Sequence, residues 1–162
     1  MFTEKLKLKA ATLLLRFQQM GLRLAVAESC TGGLISALFT EIPGSSSVLE
    51  RGFVTYSNAS KTDMLGVSSK LIKKHGAVSK EVARAMVLGA LNSSAANISV
   101  AVTGIAGPDG GTDDKPVGLA YIAVATADDL TIEEHFFEGD RDTVRKSALT
   151  RALEMLNVFI DE

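Results

Sequence analysis

The sequence predicts a layered α/β fold, an α/β/α sandwich built around a mixed sheet. Short apolar segments of strand length alternate with amphipathic segments of helical length along the 162 residues, as in α/β proteins. Most of the strand-like segments are apolar throughout, which is typical of a sheet that helices cover on both faces. The last two such segments follow each other closely enough to pair as an antiparallel hairpin, so we expect a mixed sheet.

The chain begins with a predicted amphipathic helix, because apolar residues recur at helical spacing between a capping residue, Thr3, and a stop residue, Gly21. Residues 22–28 are largely apolar and predict a short buried strand. A tight turn leads to a second predicted helix over residues 34–42, which Pro43 ends. This region is therefore expected to form a strand, a turn and a helix in succession.

The middle of the chain predicts one further strand and three helical segments. The strand covers residues 51–58. Two short helical pieces follow it, and Gly66 and Gly76 are their stop residues. Ser79 is suited to cap a longer helix that runs to about Ala95.

Three strands and a helix complete the prediction. Residues 98–104 form an apolar strand, and residues 117–126 and 130–138 form the two arms of the hairpin. Asp140 can cap a final amphipathic helix that runs to about Phe159. No linker or internal repeat interrupts this order, and the length is that of one domain with one sizeable core. We therefore expect a single domain over residues 1–162.

Composition excludes several classes of protein. The formal net charge is −2, and the Lys and Arg residues are interspersed with acids, so the chain lacks the basic face of a general nucleic-acid binder. Cys30 is the only cysteine, which rules out an intramolecular disulfide and fits a reducing compartment. The N-terminal residues do not have the unbroken apolar core of a signal peptide, and no stretch approaches the roughly 20 apolar residues of a membrane span. We expect a cytoplasmic protein without nucleic-acid or membrane partners; a homo-oligomer is compatible with these features.

The first candidate site is the segment AESCTGG, residues 27–33. Ser29 is placed where a strand ends and a helix begins, so backbone N–H groups and the helix dipole could stabilise an oxyanion beside it. Gly32 and Gly33 allow the backbone to approach a ligand closely. The alternative is structural, because a cluster of Ser, Cys and Thr before a helix is commonly an N-cap. The spacing also differs from the G-x-S-x-G pattern of α/β hydrolases.

A serine nucleophile needs a base, and the chain offers few. Its only histidines, His75 and His135, are more easily explained by a helix C-terminus and a hairpin strand, and with one cysteine they give none of the usual zinc spacings. We expect neither a metal nor a cofactor. Lysine can serve serine when its pKa is lowered by desolvation or by a neighbouring cation, and Lys61 follows the second strand closely. A surface lysine in a first helical turn is the alternative.

Two later loops could bind a ligand. Residues 103–118 contain five glycines and two prolines but neither a Walker motif nor a true G-x-G-x-x-G pattern. A connection this long and glycine-rich more often has a function than serves only to connect two elements. In residues 139–145, Arg141 and Arg145 lie one helical turn apart near a helix N-terminus, where they could clamp a phosphate. The alternative is that both arginines are exposed and form ion pairs with nearby acidic residues.

Six motifs occur along the chain in this order: AESCTGG, RGFVTYSNASKTDMLGV, HGAVSKEVA, AVTGIAGPDGG, KPVGLAYIAVA and FEGDRDTVR. Together they resemble the CinA C-terminal family, which includes nicotinamide mononucleotide deamidases of the PncC type. The resemblance runs in consistent order and spacing from about Leu24 to Leu153. Many relatives carry an additional N-terminal domain, and this chain resembles the stand-alone form.

The resemblance implies an amidohydrolase that converts nicotinamide mononucleotide to nicotinic acid mononucleotide and ammonia by a Ser-Lys dyad. It identifies Ser29 as the nucleophile and Lys61 as its base. Tyr56 and Asn58 match the family's Tyr-x-Asn pattern and are expected to arrange the dyad and the carboxamide.

The resemblance also implies further contacts to substrate. Thr103 and Gly104 begin the family's glycine-rich loop, and Arg141 and Arg145 match its late basic pair, the expected partners of the 5′-phosphate.

The mechanism implied is acyl transfer through a seryl intermediate. Backbone donors in the turn formed by Thr31, Gly32 and Gly33 are expected to hold the developing oxyanion.

Two other functions remain open at this stage. One is a non-catalytic module that binds a pyridine nucleotide or a partner protein, and the other is a Ser-Lys amidase for a different amide.

Overall fold

The structure, a computed structural model, describes residues 1–161. It contains a five-stranded sheet of order β2-β1-β3-β4-β5, and helices lie on both of its faces. In chain order the elements are α1 (Glu4–Met20), β1 (Leu24–Glu28), α2 (Leu34–Thr40), a 3-10 turn (Ser45–Ser47), β2 (Leu49–Val54), α3 (Asn58–Leu65), α4 (Ser69–His75), α5 (Lys80–Asn92), β3 (Ile98–Gly104), β4 (Leu119–Ala125), β5 (Leu130–Phe136) and α6 (Arg141–Phe159).

The sheet is mixed, as the sequence predicted. β1 pairs in parallel with β2 on one side and with β3 on the other. β4 pairs antiparallel with both β3 and β5. Because β1, β2 and β3 run in the same direction, their carboxyl ends meet at one edge of the sheet, where open α/β sheets bind ligands. The segments that follow Glu28, Val54 and Gly104 therefore converge at that edge.

Two apolar cores cover the two faces of the sheet, which confirms the predicted layers. Alternate residues of β1 point to opposite faces. Leu24 and Val26 pack in the core beneath α1, α2 and α6. Ala25 and Ala27 pack in the core beneath α3, α4 and α5. Ser29 thus leaves the sheet at a point where helices of both layers can contribute side chains.

Several predicted boundaries, including those of the second helix and of the hairpin strands, were wrong by a few residues. The first strand begins at Leu24 rather than at residue 22. The second ends at Val54 rather than at residue 58, because the hydroxyl of Ser57 accepts a hydrogen bond from the N–H of Ser60 and starts α3 there. The long helix ends at Asn92 rather than near residue 95, where the hydroxyl of Ser94 donates to the carbonyl of Ala90.

The helix caps agree with the sequence. Thr3, Ser79 and Asp140 each accept a hydrogen bond from a backbone N–H in the first turn of α1, α5 and α6. Gly21 ends α1 in the left-handed conformation. Across residues 1–161, none of the helices has the length and apolar character needed to cross a bilayer.

Candidate active site

The side chains of Ser29 and Lys61 meet at the carboxyl edge of the sheet. Lys61 Nζ lies 3.0 Å from Ser29 Oγ, which is within hydrogen-bond distance. Ser29 follows β1 directly, and its N–H donates to the carbonyl of Val102 on β3. Lys61 lies in the first turn of α3, and Leu65, one helical turn later, is buried in the core below the sheet. Two residues that are 32 positions apart in sequence thus share one site.

The side-chain nitrogen of Lys61 is almost completely removed from water. The residue is 1 % exposed, and Nζ also lies 2.7 Å from the carbonyl oxygen of Thr55 and 3.3 Å from that of Tyr56. Burial disfavours the charged form and lowers the pKa of Lys61 below its ordinary value. The alternative of a solvated surface lysine is therefore wrong, and the side chain has the environment that a lysine base requires.

A cavity of about 190 Å³ opens beside the Ser29 and Lys61 side chains. It brings together residues from the loops after β1, β2 and β3 and from the start of α6. The predicted residues that line it are Ser29, Tyr56, Asn58, Lys61, Thr103, Gly104 and Arg141. Thr31, Gly32, Gly33 and Arg145, which were also predicted, do not line it.

Two backbone donors of the turn after Ser29, the N–H groups of Gly32 and Gly33, bond within the turn region itself. The N–H of Gly32 donates to the carbonyl of Ser29, and the N–H of Gly33 donates to a carboxylate oxygen of Glu28. Both glycines have positive φ, 58° and 99°, which explains why the turn needs them. Thr31 is fully buried, and its hydroxyl oxygen has no hydrogen-bond partner within residues 1–161. The sequence analysis expected the N–H groups of Gly32 and Gly33 to hold an oxyanion. In the structure both groups already donate to other acceptors.

Glu28 is a buried residue of the site that the sequence analysis did not single out. It is fully buried at the end of β1, and its carboxylate accepts hydrogen bonds from the start of α2. A signal was present, because an acidic residue in an otherwise apolar strand must find donors when it is buried. The helix that begins a few residues later provides N–H groups without intrahelical partners.

The two arginines have different contacts. Arg145 donates from Nε to the carbonyl of Cys30 and from Nη2 to that of Thr31, both at 3.0 Å. Arg141 donates from Nη1 to the carbonyl of Gly107 and from Nη2 to the hydroxyl of Tyr56. Arg141 thus lies at the cavity, whereas Arg145 supports the turn that carries Ser29.

Thr103 and Gly104, at the end of β3, also line the cavity. The hydroxyl of Thr103 donates to the carbonyl of Ala77 at 2.8 Å. A Cβ on Gly104 would lie only 3.0 Å from Cys30 Sγ and from Ala120 Cβ. Gly104 therefore has a packing role in addition to its place at the cavity.

Residues 6–160 match the CinA C-terminal domain family. The chain belongs to the CinA family. A putative competence-damage inducible protein of Caldicellulosiruptor saccharolyticus is 52% identical over 142 residues, which cover 88% of this chain and 34% of that protein. A CinA-like protein of Syntrophotalea carbinolica is 49% identical over 86% of this chain and 34% of its own length. The chain thus spans about a third of the length of these curated relatives.

Solved structures of the CinA family share the fold. Competence/damage inducible protein CihA from Agrobacterium tumefaciens superposes with a TM-score of 0.96 at 44% identity, covering 99% of this chain and 98% of that one. A competence-damaged protein (CinA) superfamily protein from Escherichia coli superposes with a TM-score of 0.92 at 31% identity, covering 98% and 94%. The sandwich with its mixed sheet is therefore the CinA fold.

The other potential nucleophile and bases of this CinA domain lie in unsuitable surroundings. Burial raises the pKa of the Cys30 thiol to about 11, so little thiolate is present at neutral pH. His75 lies near Glu81, and His135 pairs with Glu133; neither histidine lines the cavity. No group of three or more His, Cys, Asp or Glu side chains within residues 1–161 is arranged to hold a metal ion.

Proposed function

We propose that this domain is an amidohydrolase that converts nicotinamide mononucleotide and water to nicotinic acid mononucleotide and ammonia. Ser29 is the nucleophile and Lys61 is its base. The observation that carries this proposal is the 3.0 Å contact between Ser29 Oγ and the buried Lys61 Nζ. The substrate comes from the family resemblance, and the chemistry comes from the side chains.

The contacts of Lys61 suit a neutral amine. A neutral amine has two N–H hydrogens and one lone pair, and the carbonyl oxygens of Thr55 and Tyr56 can accept the two hydrogens. The lone pair is then left for the hydroxyl hydrogen of Ser29. The lowered pKa of Lys61 increases the fraction of the neutral form. In this state the serine hydroxyl donates to Nζ, as a nucleophile must to its base.

The reaction follows in two steps. Ser29 Oγ attacks the carboxamide carbon while its proton moves to Lys61, and the proton then passes to the departing ammonia. In the second step a water oxygen attacks the carbonyl carbon of the seryl ester while Lys61 takes one of its protons, and that proton passes to Ser29 Oγ as the ester bond breaks and the acid leaves. The N–H of Cys30 is the donor we assign to the oxyanion, because it finds no acceptor on another residue in the described chain. The residue after a serine nucleophile has this role in α/β hydrolases.

The size of the cavity indicates which part of the substrate it holds. Its volume of about 190 Å³ is below the roughly 300–1,000 Å³ of typical ligand pockets. It therefore suits the carboxamide and its ring, whereas the ribose phosphate extends past the mouth. Arg141 is exposed there and supplies a cation for the phosphate. Tyr56, which is 61% exposed, and Asn58 stand at the same mouth.

Ammonia release tests the proposal. The whole chain should release ammonia from nicotinamide mononucleotide, less efficiently from its riboside and least from nicotinamide. Lys61→Met should abolish the release, because it removes the base and keeps most of the side-chain volume. A chain that bound nicotinamide mononucleotide without releasing ammonia would contradict the enzyme and favour a nucleotide-binding module. Release from unrelated amides only would favour a different Ser-Lys amidase.

A further inference from the structure

The Glu28 carboxylate is fully buried immediately before Ser29, and the proposed reaction does not use it. A buried carboxylate is costly unless hydrogen bonds replace the water that it loses. Its contacts therefore indicate why an acid is present at this position.

Four donors converge on the two carboxylate oxygens. Oε2 accepts hydrogen bonds from the N–H groups of Gly33 and Ile35, both at 3.1 Å. Oε1 accepts from the N–H and the hydroxyl of Ser36, both at 3.0 Å. All of these donors belong to the N-cap and first turn of α2, where backbone N–H groups lack partners within the helix. The carboxylate thus replaces the side-chain cap that Gly33 does not provide.

This cap differs in reach from the others in the molecule. The caps of α1, α3, α4, α5 and α6 each accept a hydrogen bond from a residue three positions later. Glu28 instead contacts residues five to eight positions later. The intervening chain is the turn that begins with Ser29. The carboxylate therefore closes a loop around the proposed nucleophile.

Glu28 and Lys61 approach Ser29 from opposite faces of the sheet. Glu28 has the same parity in β1 as Leu24 and Val26, so its side chain lies on the α2 face of the sheet. Lys61 approaches from α3, on the other face. The N–H of Ser29 is held by the carbonyl of Val102. Lys61, the proposed base, thus lies on one side of Ser29, and the hydrogen bonds between Glu28 and α2 lie on the other.

We propose that Glu28 is a positioning residue that holds Ser29 Oγ within hydrogen-bond distance of Lys61 Nζ. It does so by tying the first turn of α2 to the end of β1. This inference rests on the proposed role of Ser29 as a nucleophile, but not on the identity of the amide.

The test uses Glu28→Gln in the whole chain and a reagent that does not depend on the substrate. Phenylmethylsulfonyl fluoride sulfonylates reactive serines: the Ser29 O–S bond forms, the S–F bond breaks, fluoride leaves and the hydroxyl proton passes to Lys61. The glutamine has the same size but offers one acceptor oxygen and an NH₂ group that opposes N–H donors. We expect labelling of Ser29, measured by intact mass and peptide mapping, to slow by about tenfold or more, because small misplacement of a reacting group is costly.

Glu154→Gln is the matched control. Glu154 accepts hydrogen bonds from Lys9 and Arg151 at the surface between α1 and α6, so its amide variant should label within about twofold of the unchanged chain, as expected for a change remote from the reacting atoms. If Glu28→Gln does not fold, Ser36→Ala, which removes one of the four donors, takes its place and should also label more slowly than the control. With nicotinamide mononucleotide, Glu28→Gln should lower kcat more than it raises KM.

Two results would overturn the inference. One is a folded Glu28→Gln or Ser36→Ala variant that labels at the rate of the Glu154→Gln control. The other is absence of Ser29 labelling in the unchanged chain, which would also overturn the dyad. Labelling of Ser29 without hydrolysis of nicotinamide mononucleotide would remove only the substrate assignment and leave the positioning role supported.

Discussion

The guanidinium of Arg145 holds the turn after the proposed nucleophile through the carbonyl of Cys30, with Nε and O 3.0 Å apart. A second bond, from Nη2 to the carbonyl of Thr31, makes the contact bidentate. This pairing links the start of α6 to the end of β1 across 115 residues. A residue that the sequence predicted as a phosphate ligand thus has a structural connection to the turn that follows the proposed nucleophile.

Arg145→Ala should lower activity on every substrate to the same degree. The variant leaves the carbonyl of Cys30 without its donor and leaves that of Thr31 with only the N–H of Leu34, which should cost about 1–3 kcal/mol of unfolding free energy. Ammonia release from nicotinamide mononucleotide and from its riboside should fall by equal factors, and the melting temperature should fall as well. The two kcat/KM ratios and a thermal melt provide the measurement. A loss confined to the phosphorylated substrate would return Arg145 to the phosphate site.

Arg141→Ala should have an effect that depends on the substrate phosphate. Arg141 lines the cavity, and it is exposed at the mouth. An ionic contact far from the carboxamide holds the ground state and the transition state alike, so KM should rise more than kcat falls. The penalty should shrink for the riboside. Tyr56→Phe, which removes the hydroxyl that accepts from Arg141 Nη2, serves as the control for lost hydrogen bonding without lost charge.

The fold could be predicted from sequence because its elements follow local rules. Thr3 and Asp140 each accept a hydrogen bond from the N–H group three positions later. A capping residue at this spacing can be recognised in a sequence. The end of β2 was less visible. Residues 55–58 have the composition of a strand, but the helix that Ser57 caps takes them out of the sheet.

The sequence could predict which residues belong to the site but not which atoms they contact. Lys61 could be proposed as a base, yet only the structure shows the burial that lowers its pKa. Arg141 and Arg145 are one turn apart on α6, and nothing in that spacing reveals that one faces the cavity while the other bonds to Cys30 and Thr31. Such contacts depend on pairing between distant parts of the chain, 115 residues apart for Arg145 and Cys30, which local patterns do not encode.

Ser29→Ala should abolish ammonia release with little change in fold. Ser29 Oγ contacts Lys61 Nζ, and its removal deletes one hydroxyl from the edge of the cavity. Cys30→Ala should keep activity, because the buried thiol has a raised pKa of about 11 and forms little thiolate. Initial rates and circular dichroism of both variants provide the comparison. Loss of activity in Cys30→Ala with activity retained in Ser29→Ala would reassign the nucleophile.

The pH dependence should report the buried lysine. The proposed mechanism requires neutral Lys61, so kcat should rise with pH and then level off. The midpoint of the rise should lie below 10.5, the ordinary value from which burial lowers the pKa of Lys61. The unfolded chain keeps that proton up to its ordinary pKa, whereas the folded chain loses it at a lower pH. In the window between these two values the unfolded state binds more protons, so this group makes the free energy of unfolding increase with pH.

Lys61→Met separates this contribution from the rest of the chain. The variant cannot titrate at residue 61, so its free energy of unfolding should increase less with pH across the window than that of the unchanged chain. Denaturant unfolding from about neutral pH up to pH 10.5, the upper limit set by the ordinary lysine value, gives the two curves. Lys9→Met, which removes a half-exposed lysine paired with Glu154, is the control and should keep the dependence that Lys61 causes. If the two methionine variants change the slope equally, then Lys61 is ionised in the folded state and the assignment of a neutral base is wrong.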